Sequence, residues 1–169
     1  MASTSAGMTT RQVGKMTVTV ISDLEIELTR NFSAPRELVF EALSRPEHIR
    51  QWWGRRGAPM VVCEVDFRPG GRYRYVIRQE KGQEYAFRGE YYEIAPPGRI
   101  VQTFEFEGMP GSISYETLTL TERDGTTTLT TRSRMESIEA RDAMLQSGME
   151  AGAAETYDRL EELLATLGK

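Results

Sequence analysis

The sequence predicts an α+β fold in which one curved, seven-stranded antiparallel sheet closes on a single long C-terminal helix. Three observations carry this expectation. Short alternating segments separated by turn residues run from Leu24 to Arg134, two helical segments interrupt them after the first strand, and an apolar stripe of helical spacing fills the last part of the chain.

Residues 1–16, rich in Ser, Thr, Gly and Ala and without an apolar period, read as a flexible tail ahead of one domain spanning 17–169. MTVTVISDLEIELTR, counted as the first strand, is strand-like on either side of Ser22-Asp23, and Leu24, Ile26 and Leu28 alternate with Glu25, Glu27 and Thr29, so one face is core and the other wet. Ser33-Ala34-Pro35 opens a helix whose buried face is Leu38, Val39, Ala42 and Leu43. Ser44 and Glu47 have capping-box spacing for a second short helix, which carries Ile49, Trp52 and Trp53 and ends at Gly54. Strands then follow over 60–67, 72–79, 84–94, 99–106, 113–122 and 126–134. Arg68-Pro69-Gly70-Gly71, Lys81-Gly82, Pro96-Pro97-Gly98, 108–111 and Asp124-Gly125 supply the turns between them.

The C-terminal stripe comprises Leu145, Met149, Ala153, Thr156, Leu160, Leu163, Leu164 and Leu167, in steps of three and four. Ser147 followed by Glu150 fits a capping box, which places the start of the principal helix at Ser147. A helix of about twenty residues is a rod of about 30 Å, long enough to lie across a sheet.

Composition narrows the function classes. A chain of 169 residues is long enough to bury a sizeable core of its own. The formal charge of −4, from 25 acids against 21 bases, offers no general electrostatic case for nucleic acid. The lone Cys63 has no internal disulfide partner, and the start has neither a secretory core nor a long apolar span, so a cytoplasmic protein without membrane contact is expected. The single His48 rules out a multi-histidine metal site, and no metal or cofactor is expected. No nucleophile has an identified base, and Gly70-Gly71 lacks the context of a nucleotide loop.

Aromatic residues are more informative. Alternation gives Tyr73 and Tyr75 a common strand face, Phe87 and Tyr91 another, and Phe104 and Tyr115 extend the set on the next strands. Such rings make a packed core in most proteins. Several buried phenols each need a hydrogen-bond partner, however, and a partly wet pocket supplies partners more easily than a dry core. The expected ligand-binding set is therefore Trp52, Trp53, Phe67, Tyr73, Tyr75, Phe87, Tyr91, Phe104, Tyr115, Met144, Met149 and Tyr157, with Met149, Ala153 and Tyr157 of the long helix facing the rings. Trp52-Trp53-Gly54-Arg55-Arg56-Gly57 reads as a gate over the mouth, pivoting on its glycines.

Five ordered blocks carry a family resemblance: Ser33 to Phe40, Pro46-Glu47 to Trp52-Trp53, Asp66 to Gly71, Gly89 to Ile94 with Pro96-Pro97, and Ser147-Gly148-Met149 to Leu160. Over about Leu24 to Leu167 the chain resembles the bacterial branch of the family named after the activator of Hsp90 ATPase. That branch lies within the START, Bet v 1 and polyketide cyclase-like (SRPBCC) superfamily. The resemblance implies the helix-grip fold, in the order β-α-α-β6-α. It implies a small hydrophobic or aromatic ligand held between sheet and helix, with a cyclase or hydrolase-like enzyme, or a protein-interaction role such as chaperone ATPase stimulation, as alternatives. It carries over no catalytic residue, and a homodimer is the default assembly.

Overall fold

The computed structural model describes residues 8–168. A single open antiparallel sheet of nine strands wraps around the C-terminal helix. Along the chain the strands are β1 (Thr9–Val13), β2 (Met16–Val20), β3 (Glu25–Phe32), β4 (Met60–Val65), β5 (Arg72–Arg78), β6 (Glu84–Ala95), β7 (Arg99–Phe106), β8 (Ile113–Arg123) and β9 (Thr126–Arg134). Helices α1 (Arg36–Ser44) and α2 (Pro46–Trp52) follow β3, and α3 (Ile138–Gln146) and α4 (Met149–Leu167) close the chain. The sheet order is β1-β2-β3-β9-β8-β7-β6-β5-β4. The strand that precedes the helical excursion thus pairs with the last strand, and everything after the excursion is a meander.

Two strands exceed the expected seven. The segment 16–32 breaks at Ile21 to Leu24, where Ile21 N–H donates to Glu25 O at 3.0 Å, and so becomes two antiparallel strands rather than one. Thr9–Val13, expected to lie in the tail, pairs with Met16–Val20 across a two-residue turn in which Gly14 has φ of 61°. This strand escaped detection because almost all of its side chains are exposed; the hydrogen-bond ladder positions it, and no apolar alternation marks it. The first seven residues of the expected tail lie outside the described residues.

Neither expected capping box forms. Helix α2 starts after Arg45 with Pro46 in its first turn, and the Ser44 hydroxyl instead donates to Phe40 O at 2.8 Å, inside α1. Ser147 is the C-cap of α3, where its hydroxyl donates to Met144 O at 2.7 Å. Gly148, at φ 83°, turns the chain into α4 through the left-handed region. A capping-box serine needs extended backbone, and the φ of −78° and ψ of −7° at Ser147 deny it. The Glu150 carboxylate, freed from that role, pairs with Arg11 of β1. The side-chain cap that does form here belongs to Ser137, which accepts from Ala140 N–H at 3.0 Å.

Two apolar clusters fill the space between sheet and helices. The larger holds Val39, Ile49, Trp52, Tyr73, Tyr75, Tyr91, Leu129 and Leu160, the last fully buried as the stripe on α4 requires. The smaller holds Met16, Val18, Ile26, Leu28, Met135 and Ala154, beneath the β1–β2 hairpin and α3. Arg30, 1% exposed on the inner face of β3, bonds Asp158 and Glu161 of α4, each at 2.9 Å, and pins helix to sheet. No helix among the described residues is long and apolar enough to cross a membrane.

Candidate functional site

The concave face of the sheet is defined by register. Tyr75 opposes Phe87, Phe87 opposes Phe106, Phe104 opposes Ser114, and Gln102 opposes Glu116, which in turn opposes Ser133. Since facing residues in an antiparallel pair project to the same side, these side chains share one surface. Tyr73, Tyr75, Phe87, Tyr91 and Phe104 are brought together there, as strand alternation predicts. Phe87 and Phe104 stack at 5.6 Å, Tyr73 lies 4.9 Å from Tyr75 and 5.3 Å from Tyr91, and Phe67 meets Tyr91 edge-on at 5.0 Å.

Three of these phenols are sealed while the two phenylalanines are half-buried. The Tyr73 hydroxyl donates to Thr103 O at 2.5 Å, and the Thr103 hydroxyl accepts from Glu90 N–H at 2.9 Å, so that a side chain from each flank enters the β6–β7 ladder. Gly89 makes this possible: a Cβ there would lie 2.1 Å from Thr103 O and 2.5 Å from the Tyr73 ring. Burial raises the Tyr73, Tyr75 and Tyr91 hydroxyls well above the usual phenol range, and they stay protonated.

The two tryptophans have separate places. Trp52 is core, with its indole N–H donating to Ala42 O at 2.8 Å. Trp53 is half-buried and enters the concave side, 5.0 Å from Tyr75, 5.0 Å from Phe87 and 6.4 Å from Phe104. Its segment is tied to α4: Thr156 and Arg159 donate to Gly54 O at 3.2 and 2.9 Å, Arg159 also reaches Gln51 O at 2.9 Å, and Arg56 pairs with Glu162.

Four expected residues are placed away from the rings. Tyr115 is 41% exposed and points from the convex face, because the neighbours that share its parity, Thr117 and Thr119, also face outward while Leu118 and Leu120 turn in. It borders a convex groove of about 640 Å³ walled by paired charges, among them Arg74–Glu107 and Arg88–Glu105. Met144, Met149 and Ala153, the last two expected to face the rings, pack in the smaller cluster under the hairpin, because the turn at Gly148 redirects the helix axis before the aromatic wall is reached. Tyr157 does lie between the parts, packing against both clusters and meeting Phe32 edge-on at 6.2 Å.

A polar row missed from the sequence crosses the same face. Gln102 Nε2 donates to Glu116 Oε1 at 3.1 Å, and the Ser133 hydroxyl reaches Glu116 Oε2 at 3.5 Å. One register step away the Thr131 and Tyr157 hydroxyls bond at 3.2 Å. Desolvation raises the Glu116 carboxyl to about 7 against the opposing effect of its two hydrogen bonds, and raises Tyr157 to about 12. Glu116 is half-buried as a residue, and its carboxyl is enclosed by protein. The missed signal was parity: Leu118 and Leu120 fix the inner set of β8, and Ile100, Phe104 and Phe106 fix that of β7, which places Glu116 and Gln102 on it.

The model of the family described as activator of Hsp90 ATPase homolog 1-like protein matches residues 33–165. The chain belongs to that family. The fold is shared with a protein from Rhodobacter sphaeroides at 28% identity and a TM-score of 0.85, over 90% of this chain and 99% of that one. A Chromobacterium violaceum protein, CV1439, is similar at 29% identity and a TM-score of 0.74, over 85% and 98% of the two chains. An AHSA1 protein from Silicibacter pomeroyi, 23% identical with a TM-score of 0.70 over 84% and 98%, supports the fold. A comparison with curated proteins found no match. The helix-grip arrangement and the family membership give this AHSA1-like protein the ligand-binding architecture of the SRPBCC superfamily.

Proposed function

We propose that this AHSA1-like protein binds a small hydrophobic or aromatic molecule between the concave face and α4, with Trp53 as a plug that the ligand displaces. The observation that carries the reading is the position of Trp53: a half-buried indole inserted among Tyr75, Phe87 and Phe104 from a segment that ends in Gly54 at φ 96°. A ring that fills an aromatic niche from a loop can be exchanged for another ring at little net cost, because the incoming ring packs against the same wall in the same way. Phe67, Tyr73 and Tyr91 form the rigid part of the wall, and Tyr157 closes the space from the helix side. Glu116, poised near neutrality, supports a second reading in which the bound molecule undergoes proton transfer, as a cyclase or hydrolase would require.

The test pairs two measurements on the intact protein. Native mass spectrometry of freshly purified material inventories small molecules that remain bound. Titration with the neutral fluorescent probe N-phenyl-1-naphthylamine then compares wild type with Trp53→Ala. If Trp53 is a plug, the folded variant binds the probe at least as tightly as wild type, and probe and indole compete. A Trp53→Ala protein that folds normally yet binds no aromatic probe, with no retained molecule in wild type, overturns the reading.

A further inference from the structure

On the inner face of the sheet Arg30 and Glu116 are ionisable side chains of opposite sign, and they are treated differently by their surroundings. Arg30 is matched by Asp158 and Glu161 of the helix. Glu116 has neutral partners, Gln102 and Ser133, and no cation figures among the influences on its proton affinity. A carboxylate offers about four acceptor directions, and these partners use two. A purely structural residue at this position would be better served by an apolar or amide side chain, since an enclosed anion without a cation is costly. The remaining acceptor capacity and the uncompensated negative charge are what a donor from outside would satisfy.

Geometry sets the shape of that donor. Gln102 and Phe104 lie two residues apart on one strand face, as do Glu116 and Ser114, so Glu116 lies one strand over and roughly 7 Å along the strand from Phe104, while Phe87, which opposes Phe106, lies a further strand and two residues away. An aromatic ring laid against Phe104 on the side toward Gln102 would reach the carboxyl through a short arm, whereas the place of Trp53 against Tyr75 and Phe87 is more distant.

We propose that Glu116 recognises the polar end of the ligand and that the site takes an aromatic compound bearing a cationic amine on a short arm. The inference rests on the ligand-site reading of the concave space, which supplies the ring's place, and adds to it the sign of the ligand's charge. Gln102 and Ser133 act as positioning residues that hold the carboxylate with two oxygens directed by an amide and a hydroxyl.

Displacement of N-phenyl-1-naphthylamine by three indoles that differ only at the end of the arm tests it: tryptamine, 3-ethylindole and indole-3-propionate. Tryptamine should displace the probe at a concentration about tenfold or more below that of 3-ethylindole, the gain expected of a charge-assisted bond, and the propionate should be the weakest. Glu116→Gln, which keeps shape and hydrogen bonding, should erase the tryptamine advantage while leaving 3-ethylindole within about twofold of its wild-type value. Equal displacement by all three compounds, or a tryptamine advantage that survives Glu116→Gln, overturns the assignment of Glu116 and leaves the ligand site standing. Failure of the probe and all three indoles to bind removes the ligand site itself, and the assignment with it. Thermal melts of the variant in the absence of ligand confirm that a folded protein is being compared.

Discussion

Replacing Glu116 by Gln should stabilise the protein at neutral and alkaline pH and remove one component of its pH dependence. The carboxyl titrates near 4.5 in an unfolded chain and is pushed to about 7 in the fold, chiefly by desolvation. Between those values the native state holds a proton that the unfolded state has released, so stability falls as pH rises through the window and the loss is complete above about pH 7. A shift of about 2.5 pH units corresponds to about 3 kcal/mol, and the residual solvation of a half-buried group brings the expected figure to about 1–3 kcal/mol. Gln cannot ionise, so Glu116→Gln should match wild type near pH 4 and exceed it by about 1–3 kcal/mol at pH 8. Glu105, Glu107, Glu161 and Glu162, whose pKa values are lowered by arginine or lysine partners, contribute with the opposite sign below about pH 4.5. They are common to both proteins and cancel in the difference. Urea denaturation of both proteins at intervals from pH 4 to 8, with unchanged m-values, gives the required free energies. A variant-minus-wild-type difference that is flat across this range, or that grows toward acid, would refute the placement of Glu116 in a desolvated, uncompensated site.

Other positions give sharper structural tests. Leu160→Ala removes a fully buried side chain from the centre of the α4 stripe and should cost about 2–5 kcal/mol in reversible denaturation; a loss below about 0.5 kcal/mol would contradict its burial. Gly89→Ala places a methyl group against Thr103 O and the Tyr73 ring, so the Tyr73 hydroxyl must leave the β6–β7 ladder. Its stability should drop by more than about 2 kcal/mol, and hydrogen exchange at the Glu90 and Tyr91 amides should accelerate; unchanged protection there would show that the ladder does not depend on the close approach. Ser137→Ala should cost about 0.5–2 kcal/mol through loss of the α3 cap, whereas Ser147→Ala should cost less than Ser137→Ala, because Gly148 is the N-cap of α4 and Ser147 gives that helix only a long 3.3 Å bond from Met149 N–H. The reverse ranking would restore the principal helix start to Ser147.

Much of this arrangement was legible in the chain because it depends on local period. The stripe through Leu160, Leu163 and Leu164 needs only the 3.6-residue repeat, and the common face of Tyr73 and Tyr75 needs only the two-residue repeat. What failed depends on backbone direction at single residues. Ser147 followed by Glu150 satisfies the capping pattern as text, but Gly148 beside it takes positive φ and converts the site into a junction between two helices, which also carries Met144 and Met149 away from the rings. Thr9–Val13 failed for another reason, since a strand with two wet faces has no hydrophobic alternation to read.

Tyr115 and Glu116 show most clearly where local reading ends. In Ile113 to Arg123 the aromatic residue stands on one parity and Leu118 and Leu120 stand on the other. Choosing by the ring puts Tyr115 inside; choosing by the leucines puts Glu116 inside, and a charged side chain makes that choice look unfavourable. The fold follows the leucines because two aliphatic residues deep in the sheet bury more surface than one phenol that can keep its hydroxyl in water. Glu116 is then carried inward by the register, and its enclosure is imposed on it by its neighbours rather than chosen for stability. A carboxylate that a strand would be more stable without, held beside Gln102 and Ser133 on an otherwise aromatic wall, is a violation of the apolar pattern at one point. Such violations concentrate at functional sites, because only binding or chemistry offsets their cost. The position at which alternation misleads is therefore the position at which the site is to be sought.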